Sequence, residues 1–357
     1  MATDTMQEQV IINGQVVTPQ TLLTWRQGKT GLEADLADFL EEWFSATPTM
    51  LLHTSGSTGK PKAMQATKDS MRASALATCR FFHLEPGCTA LLCLPLRYIA
   101  GKMMVVRAIV GGFNLLLQEP SSAPLEELTT EVDFAPLVPM QVQTTLQKEN
   151  GAACLQRVRQ ILLGGGFVEP ATETALQSIP CAVYASYGMT ETLSHIALRR
   201  INGAEATPYY TPLPGVRLAL SPRGTLSISV PYLGIDYLET NDIAEMTEDG
   251  RFRISGRADC VINSGGIKIQ AEELEQQLRS ATGLNLIIVP LPHPVLGQTV
   301  GLLWEGEPEH EPLLQHAIEQ LPRYHRPSCM VNGTIPKTAT GKPARAAAIA
   351  FLIDKRV

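Results

Sequence analysis

One short segment concentrates the residue types that bind polyphosphates. Residues 54–62 hold four hydroxyl side chains, two glycines and two lysines. Glycine lets backbone N–H groups approach an oxyanion, hydroxyls add donors, and lysines supply positive charge. The segment is not a Walker loop, because Thr54 stands where that motif needs glycine and Pro61 follows Lys60. The composition predicts phosphate binding, although a polar surface turn can have the same composition. The candidates are Thr54, Ser55, Gly56, Ser57, Thr58, Gly59 and Lys60.

Four further polar segments carry side chains that suit nucleotide binding and acyl transfer. They are residues 187–192 (Tyr-Gly-Met-Thr-Glu-Thr), 239–245 (Glu-Thr-Asn-Asp-Ile-Ala-Glu), 255–259 (Ser-Gly-Arg-Ala-Asp) and 336–342 (Pro-Lys-Thr-Ala-Thr-Gly-Lys). Taken alone, an acid such as Glu191 or Asp242, or a lysine such as Lys342, is most often a solvated surface charge. Their occurrence together in one chain is what favours a shared site.

The elements that must position these segments alternate between strands and helices. Hydrophobic periodicity predicts helices over 32–44, 69–82 and 100–110, and strands over 50–53, 89–94, 113–118, 158–163 and 182–185. Such alternation indicates a mainly parallel sheet, in which ligands bind in the loops that follow the strands. After residue 215 short strands and turns dominate, among them a strand over 225–230. A helix over 271–280, a strand over 286–289 and a helix near 313–321 follow. We therefore expect an α/β fold, with a large N-terminal α/β domain (1–257) and a small α+β C-terminal domain (259–357).

Composition excludes some classes of function. Apolar residues make up 44% of the chain, charged residues 18%, and the net charge is −6. No basic segment supplies the charge that nucleic-acid binding needs, and charges or prolines interrupt every long apolar stretch. The seven cysteines are scattered and form no Cys-x-x-Cys pair. These features predict reduced thiols in a cytoplasmic protein with no secretion signal, membrane span or nucleic-acid partner.

The five polar segments, in this order, resemble the signatures of the superfamily of acyl-CoA synthetases, peptide-synthetase adenylation domains and firefly luciferase. The resemblance covers roughly residues 51 to 345 and implies the adenylate-forming enzyme fold. It implies that ATP and a carboxylic acid form an acyl-AMP and pyrophosphate, and that the acyl group then passes to the thiol of CoA. Mg²⁺ is the implied cofactor. Members generally carry a longer segment before the phosphate loop, so this chain looks like a shortened form.

The resemblance also implies roles for individual residues in binding the nucleotide. It assigns the pyrophosphate to the loop 54–60, Mg²⁺ to Glu191 and Thr54, and the α-phosphate to Thr190. It assigns adenine to Tyr187, Gly164, Gly165 and Gly166, the ribose to Asp242 and Arg257, and a further part in nucleotide binding to Gly188 and Met189. Each assignment suits its chemistry, since Mg²⁺ prefers oxygen ligands and a carboxylate accepts from ribose hydroxyls.

Three C-terminal features carry the implied catalytic and hinge roles. Lys342 would bridge the incoming carboxylate and the phosphate oxygens, and Asp259 stands where the superfamily has its interdomain hinge residue. Gly265 and Gly266 would leave room for the pantetheine arm of CoA, because glycine permits close approach. A tight turn between two strands also explains that glycine pair.

Within the superfamily, the segment 94–101 followed by Arg107 resembles that of o-succinylbenzoate–CoA ligases, enzymes of menaquinone biosynthesis. The departures are Tyr98 for histidine, Ala100 for serine and His195 for glutamine. A second carboxylate on the acid would explain cations in an apolar segment. The alternative is that Lys102 and Arg107 are helix-surface charges. The expected substrate contacts are Arg97, Tyr98, Gly101, Arg107 and His195.

Other functions remain open at this point. The acid can be a different aryl or acyl carboxylate, the acceptor can be a carrier-protein thiol, or the chain can be a nucleotide-binding module without turnover. The expected partners are a small carboxylic acid, ATP and CoA, and a homodimer is one assembly that the sequence leaves open.

Overall fold

The computed structural model describes residues 8–53, 63–338 and 343–355. The phosphate-loop candidates Thr54 to Lys60 and the lysine candidate Lys342 lie outside these ranges. The chain divides into two compact units. The first contains the residues up to Arg217 together with Ser229–Tyr237, and the second contains Leu218–Ile228 and the residues from Leu238 onward. The domain boundary expected next to Asp259 stays a prediction.

The first unit holds most of the regular structure. Its strands are β1 (Val10–Ile12), β2 (Gln15–Val17), β3 (Thr49–His53), β4 (Ala63–Thr67), β5 (Thr89–Leu92), β6 (Asn114–Leu117), β7 (Val132–Leu137), β8 (Val158–Leu163), β9 (Ala182–Gly188), β10 (His195–Arg200) and β11 (Thr211–Pro212). Its helices are α1 (Leu22–Arg26), α2 (Gly31–Phe44), α3 (Lys68–Phe82), α4 (Ile99–Gly111), α5 (Pro139–Leu146), α6 (Gly151–Gln156) and α7 (Pro170–Leu176).

A large sheet in this unit confirms the predicted α/β class. Its strand order is β11-β10-β9-β8-β7-β5-β6-β1-β2 among the described residues. The strands from β9 to β1 in this order pair in parallel, while β2, β10 and β11 join antiparallel at the two edges. The carboxyl-terminal halves of β7 and β8 are buried residue after residue, as expected for parallel strands that are covered on both faces.

The strand before the phosphate-loop candidates is an exception to the expected sheet. β3 pairs antiparallel with β4 in a separate two-stranded sheet, with His53 opposite Ala63. The Gly/Ser/Thr segment therefore connects two antiparallel strands, rather than following a strand of the parallel sheet.

Helices α3 and α4 support the sheet. The Thr67 hydroxyl accepts a hydrogen bond from the backbone N–H of Ser70 at 3.0 Å and so caps the start of α3. His83, in the left-handed conformation, ends α3, and Gly112 ends α4 in the same way. Residues 103–108 on α4 are all buried, so this helix has no solvated face in its middle.

The second unit is built from two mainly antiparallel sheets and three α-helices within the described ranges. The elements that have most of their residues in this unit are β12 (Arg217–Leu220), β13 (Thr225–Val230), β14 (Ile235–Met246), β15 (Phe252–Arg257), β16 (Val261–Ser264), β17 (Ile267–Gln270), α8 (Ala271–Thr282), β18 (Asn285–His293), β19 (Gly297–Glu305), α9 (Glu311–Glu319), β20 (Cys329–Asn332) and α10 (Arg345–Asp354). The sheet orders are β12-β13-β14-β15 and β17-β16-β19-β18, with β20 on β19 in parallel.

Strand β18 is longer than the predicted strand over 286–289. It continues through Pro290 and Pro292 and pairs with β19 along its whole length. The reason is its position at an edge of the sheet. Two prolines at positions i and i+2 lack N–H groups on the same side of a strand, and an edge strand tolerates this on its unpaired side.

All seven cysteines lie within the described residues and are free thiols, as predicted. Across the ranges that the structure describes, no helix is long and apolar enough to cross a membrane.

A buried asparagine fixes the start of β9, the strand that carries the second polar segment. The Asn202 side chain accepts from the backbone N–H of Val183 at 3.0 Å and donates to the carbonyls of Ile179 and Cys181, each at 2.8 Å. Asn202 is 1% exposed, so water cannot replace these bonds.

We expect Asn202→Ala to lower the free energy of unfolding by about 3 kcal/mol, because it leaves several buried backbone groups without partners. Urea denaturation measures this loss. Asn150→Ala is the control, since Asn150 is exposed and makes no side-chain capping bond. Equal stability of the two variants would contradict the role given to Asn202.

Candidate active site

Three predicted segments follow parallel strands of the first unit. Residues 97–101 come after β5, Gly164–Gly166 come after β8, and the segment from Tyr187 to Glu191 lies at the end of β9. Because these strands run parallel in one sheet, their carboxyl ends share one edge. The structure thus brings the predicted adenine, phosphate and acyl segments of this unit to the same edge.

Gly188 sits where the backbones of β9 and β10 approach each other most closely. A Cβ atom at this position would lie 2.3 Å from the carbonyl oxygen of Ser194 and 2.5 Å from the Cα of His195. Both neighbours are backbone atoms, which cannot rotate away. This glycine, a predicted nucleotide-binding residue, is therefore also required for strand packing.

A sharp turn joins β9 to β10. Thr190–Thr192 form one turn of 3₁₀ helix, and the Thr192 hydroxyl accepts from the Met189 backbone N–H at 3.0 Å. Leu193 then has φ +62°, and the Ser194 N–H donates to the carbonyl of Thr192 at 2.7 Å. This is the rare form of γ-turn, which costs a leucine about 1–2 kcal/mol. Strain of this kind concentrates at functional sites.

Glu191 is exposed on this turn, whereas Thr190 is buried. Among the described residues, no group of three or more His, Cys, Asp or Glu side chains is arranged to hold a metal ion. A single carboxylate fits Mg²⁺, since this ion is usually held by one or two carboxylates together with substrate phosphates and waters. The proposed second ligand, Thr54, lies outside the described residues.

The predicted adenine contacts at this edge are all at least partly exposed. Gly164 would bring a Cβ within 3.0 Å of the Ser186 hydroxyl, which donates to the Leu163 carbonyl at 2.8 Å. Gly165 has φ +77°, so the turn after β8 favours glycine there. The half-buried Tyr187 ring lies 6.0 Å from the ring of Tyr210, with their planes inclined by 59°.

Arg107 is a buried cation in the middle of α4. Its side chain donates from Nη2 to the Ser194 hydroxyl, and its residue exposure is 2%. Its Nε is buried and has no hydrogen-bond partner within the described part of the chain. Burial lowers the pKa of Arg107 to about 10. The alternative that Arg107 is a helix-surface charge is therefore wrong.

His195 lies in the same buried cluster. Its Nδ1 is 3.3 Å from the Ser194 hydroxyl, and its Nε2 is 3.3 Å from the hydroxyl of Thr78 on α3. Burial, reinforced by the nearby charge of Arg107, holds the pKa of His195 well below its ordinary value. The imidazole is therefore neutral at physiological pH. Two of the predicted substrate residues, Arg107 and His195, thus meet through Ser194.

The other predicted acyl-site residues lie nearer the start of α4. Arg97 is exposed, and its guanidinium lies 4.9 Å from the centre of the Tyr98 ring. A Cβ on Gly101 would lie 2.5 Å from the Pro95 carbonyl oxygen, so this glycine lets α4 pack closely on the preceding loop. Lys102 is half-buried and lies over the Phe39 ring at 5.6 Å.

In the second unit, Arg257 links the predicted ribose and hinge residues. Asp242 and Arg257 face each other on β14 and β15, with Oδ1 and Nη1 3.3 Å apart. The same guanidinium binds Asp259 through two bonds of 2.9 and 2.8 Å. The hydrogen bonds from Arg257 lower the pKa of Asp259. The Asp242 side chain is largely buried beside this arginine, and its carboxylate is suited to accept hydrogen bonds from two vicinal hydroxyls.

Gly265 and Gly266 form the two-residue turn between β16 and β17, with φ of +59° and +88°. The interpretation as a tight turn is thus confirmed, since positive φ at both positions needs glycine. Their proposed contact with CoA stays a prediction.

The chain on both sides of Lys342 is firmly held. Lys337 and Pro343 pair across the base of this segment, and the N–H of Ala344 donates to the Pro336 carbonyl at 2.7 Å. Arg345 then binds both carboxylate oxygens of the buried Glu275, at 2.6 and 3.1 Å. Opposite charges buried together in bidentate geometry fix the start of α10.

Sequence reasoning missed Ser194 and Thr78. Ser194 directly precedes the candidate His195, and this adjacency is the signal in the sequence that could have found it. Thr78 lies 117 residues before His195 on α3, and nothing in its local sequence marks it.

The fold and this site define an adenylate-forming enzyme. Residues 3–225 match the model of the family described as AMP-binding enzyme. The chain belongs to this family of adenylate-forming acid–CoA ligases.

Three similar proteins are informative. The chain is 27% identical to the 2-succinylbenzoate–CoA ligase of Listeria monocytogenes over 344 residues, which covers 86% of this chain and 71% of the relative. It is 35% identical to an acyl-CoA synthetase (AMP-forming)/AMP-acid ligase II-like protein of Dyadobacter fermentans, with a TM-score of 0.64 over 93% of this chain and 98% of that one. The o-succinylbenzoate coenzyme A synthetase of Bacillus subtilis, in complex with ATP and magnesium, shares the fold at 22% identity, with a TM-score of 0.70 over 83% of this chain and 68% of that one.

We expect Gly188→Ala to lower the free energy of unfolding by about 3 kcal/mol, because the added methyl group forces β9 and β10 apart. Chemical denaturation of Gly166→Ala provides the control. A Cβ there meets only Pro139 at 3.7 Å, so its stability should stay within about 1 kcal/mol of wild type. Equal losses in both variants would show that the close approach at Gly188 is not limiting.

Proposed function

We propose that this protein is an o-succinylbenzoate–CoA ligase. It joins the acid to ATP as an acyl adenylate with release of pyrophosphate, and then transfers the acyl group to CoA. The observation that carries the choice of a dicarboxylic acid is Arg107, a buried guanidinium whose Nε lacks a partner among the described residues. The relative from Listeria monocytogenes, named for this substrate, supports the choice independently.

The argument from Arg107 is electrostatic. A buried cation is costly unless an anion compensates it. Its Nη2 donates to the hydroxyl of Ser194, and within the described residues Arg107 forms no ion pair with an acid. A carboxylate on the substrate, remote from the one that is activated, would supply the missing charge and accept from Nε. A monocarboxylic fatty acid would leave the cation uncompensated.

The remaining site residues have separate proposed roles. Thr190 donates to the α-phosphate, and Asp242 with Arg257 binds the ribose hydroxyls. Glu191 and Thr54 are the proposed ligands of Mg²⁺, which supplies charge neutralisation of the phosphates when bound. The loop 54–60 is proposed to hold the phosphates that leave as pyrophosphate, because hydroxyls, lysine and glycine N–H groups are oxyanion donors.

Attack of a carboxylate on the α-phosphate brings two anions together, so catalysis here rests on positioning and charge compensation. Lys342 is the proposed compensating cation. Arg345 and the pairing of Lys337 with Pro343 hold the chain on both sides of it. Asp259 is the proposed hinge residue, and Gly265 and Gly266 the proposed CoA contacts.

The enzyme should release pyrophosphate with o-succinylbenzoate, ATP, Mg²⁺ and CoA, and mass spectrometry should show the CoA thioester. Arg107→Met should raise KM for o-succinylbenzoate about 100-fold, because it removes a buried partner of the second carboxylate. Benzoylpropionate, which lacks the ring carboxylate, should be a weak substrate of wild type and should lose little further activity in the variant.

Arg80→Met is the matched control, because Arg80 is an exposed arginine on the neighbouring helix α3. Turnover of another acid with no response to o-succinylbenzoate would keep the ligase and discard this substrate. A thioester formed on a carrier protein but not on CoA would instead favour a carrier-loading enzyme, and ATP binding without pyrophosphate release a binding module.

Lys342→Ala should slow adenylate formation by a factor of about 10²–10³, since one preorganised donor to the transition state is lost. ATP affinity, measured by calorimetry, should stay near that of wild type. Lys355→Ala, at an exposed position after α10, is the control. Pyrophosphate release at the wild-type rate from Lys342→Ala would show that another group compensates the charge.

A further inference from the structure

A row of buried hydrogen bonds runs from α3 to Arg107 within the first unit. The Thr78 hydroxyl lies 3.3 Å from the Ser74 carbonyl and 3.3 Å from His195 Nε2. On the other side of the ring, His195 Nδ1 lies 3.3 Å from the Ser194 hydroxyl, which also receives the bond from Arg107. We call the row Ser74–Thr78–His195–Ser194–Arg107 the buried hydrogen-bond chain.

The direction of the bonds follows from the Ser74 end of this chain. The Ser74 carbonyl can only accept, so the single hydrogen of the Thr78 hydroxyl goes to it, and the Thr78 oxygen accepts from His195 Nε2–H. A neutral imidazole that carries its proton on Nε2 has Nδ1 as an acceptor, and Nδ1 takes the hydrogen of the Ser194 hydroxyl.

The Arg107 end of the chain agrees with this direction. A guanidinium can only donate, so the Ser194 oxygen accepts from Arg107 Nη2 while the Ser194 hydrogen goes to His195 Nδ1. Each hydroxyl thus donates once and accepts once, and no two hydrogens face each other. The low pKa of His195, caused by burial and by Arg107, keeps the ring in a neutral form that this arrangement requires.

The aromatic neighbour of His195 makes no polar contact with the imidazole that could compete with these hydrogen bonds. Phe82 packs edge-to-face against His195, with ring centres 6.5 Å apart, and so offers only carbon and hydrogen to the imidazole. The tautomer of His195 is therefore determined by its hydrogen bonds to two hydroxyls, that of Thr78 on one side and that of Ser194 on the other.

We propose that Thr78 is a positioning residue for recognition of the acid's second carboxylate. By accepting from His195 Nε2–H, Thr78 fixes the tautomer in which Nδ1 takes the Ser194 hydrogen. The Ser194 oxygen is then turned toward Arg107 and holds its Nη2 in place, with Nε left for the substrate. His195 acts through Ser194 and Arg107 and does not itself contact the acid. This inference rests on the proposed dicarboxylate substrate.

Loss of the Thr78 hydroxyl would remove the preference of His195 for the tautomer that carries its proton on Nε2. The ring could then carry its proton on Nδ1 and donate to Ser194, whose oxygen would receive hydrogens from His195 and Arg107 at once. The Ser194 hydrogen would lose its acceptor, and the guanidinium would no longer be held in one orientation. The consequence is weaker binding of the acid, with the chemistry of the adenylated carboxylate unchanged.

The first test is a pair of variants at one position. Thr78→Val keeps the shape of the side chain and removes the hydroxyl, whereas Thr78→Ser keeps the hydroxyl. We expect Thr78→Val to raise KM for o-succinylbenzoate about 10-fold, because a buried donor is left unpaired, with kcat and KM for ATP near wild type. Thr78→Ser should restore KM. Thermal melting of both variants confirms that they are folded.

The second test needs no substrate. Nitrogen NMR of ¹⁵N-histidine-labelled enzyme identifies the tautomer of His195, and the resonances that vanish in His195→Gln give the assignment. Wild type and Thr78→Ser should show the proton on Nε2, and Thr78→Val should show a shift toward Nδ1.

The two tests separate failure of this inference from failure of the proposed function. A proton on Nδ1 in wild type would overturn the direction of the chain, whichever acid the enzyme uses. Wild-type KM in a folded Thr78→Val would overturn the positioning role. A wild-type enzyme that ignores o-succinylbenzoate would overturn the proposed substrate, and with it the role of Thr78 in binding that acid, while the NMR result would still stand for the tautomer.

Discussion

The close approach of the β9 and β10 backbones at Gly188 is the constraint on which the site depends. Since no Cβ fits between Gly188 and the backbone of Ser194 and His195, the two strands lie in direct contact and the chain must reverse within a few residues. It does so with a 3₁₀ turn and a leucine at φ +62°. The same turn that exposes Glu191 at the sheet edge directs Ser194 and His195 into the interior, so one turn positions both the proposed Mg²⁺ ligand and the buried cluster next to Arg107.

Burial of these side chains lowers the stability of the fold. Arg107 places a charge among apolar residues, and the hydroxyl that holds it is neutral. A buried charge without an anion lowers stability, and replacing such a group by an apolar residue often stabilises a protein. The arginine at this place is therefore better explained by a role in binding a ligand than by a role in folding. The strained turn at Leu193 also lowers the stability of this region. The free energy of ligand binding can offset both effects, because the ligand would bind at the same place.

The sequence predicts the elements whose signals are local. β8 and β13 match their predicted ranges, and α2 and α3 differ from theirs by one residue at the start, because periodicity and capping residues lie within these segments. The antiparallel pairing of β3 was not predictable, since its partner β4 has no alternating pattern of its own and its register depends on pairing. β18 was predicted too short because Pro290 and Pro292 read as breakers, and only the sheet order shows that it is an edge strand. The burial of Arg107 depends on the packing of α3 against α4, which a reading of either helix alone does not reveal.

The histidine at position 195 illustrates why a residue type cannot be interpreted apart from its neighbours. The family resemblance places glutamine there in many o-succinylbenzoate–CoA ligases. A glutamine amide carries a donor and an acceptor at one end, and rotation of the amide selects between them. A neutral imidazole carries them on opposite sides of a ring, so its orientation and its tautomer must both be fixed. In this chain Thr78 and Ser194 stand at the two nitrogens and can fix both. A histidine at position 195 therefore depends on a hydroxyl on α3 that a glutamine would not need. Positions 78 and 195 thus act together, although they are far apart in the sequence.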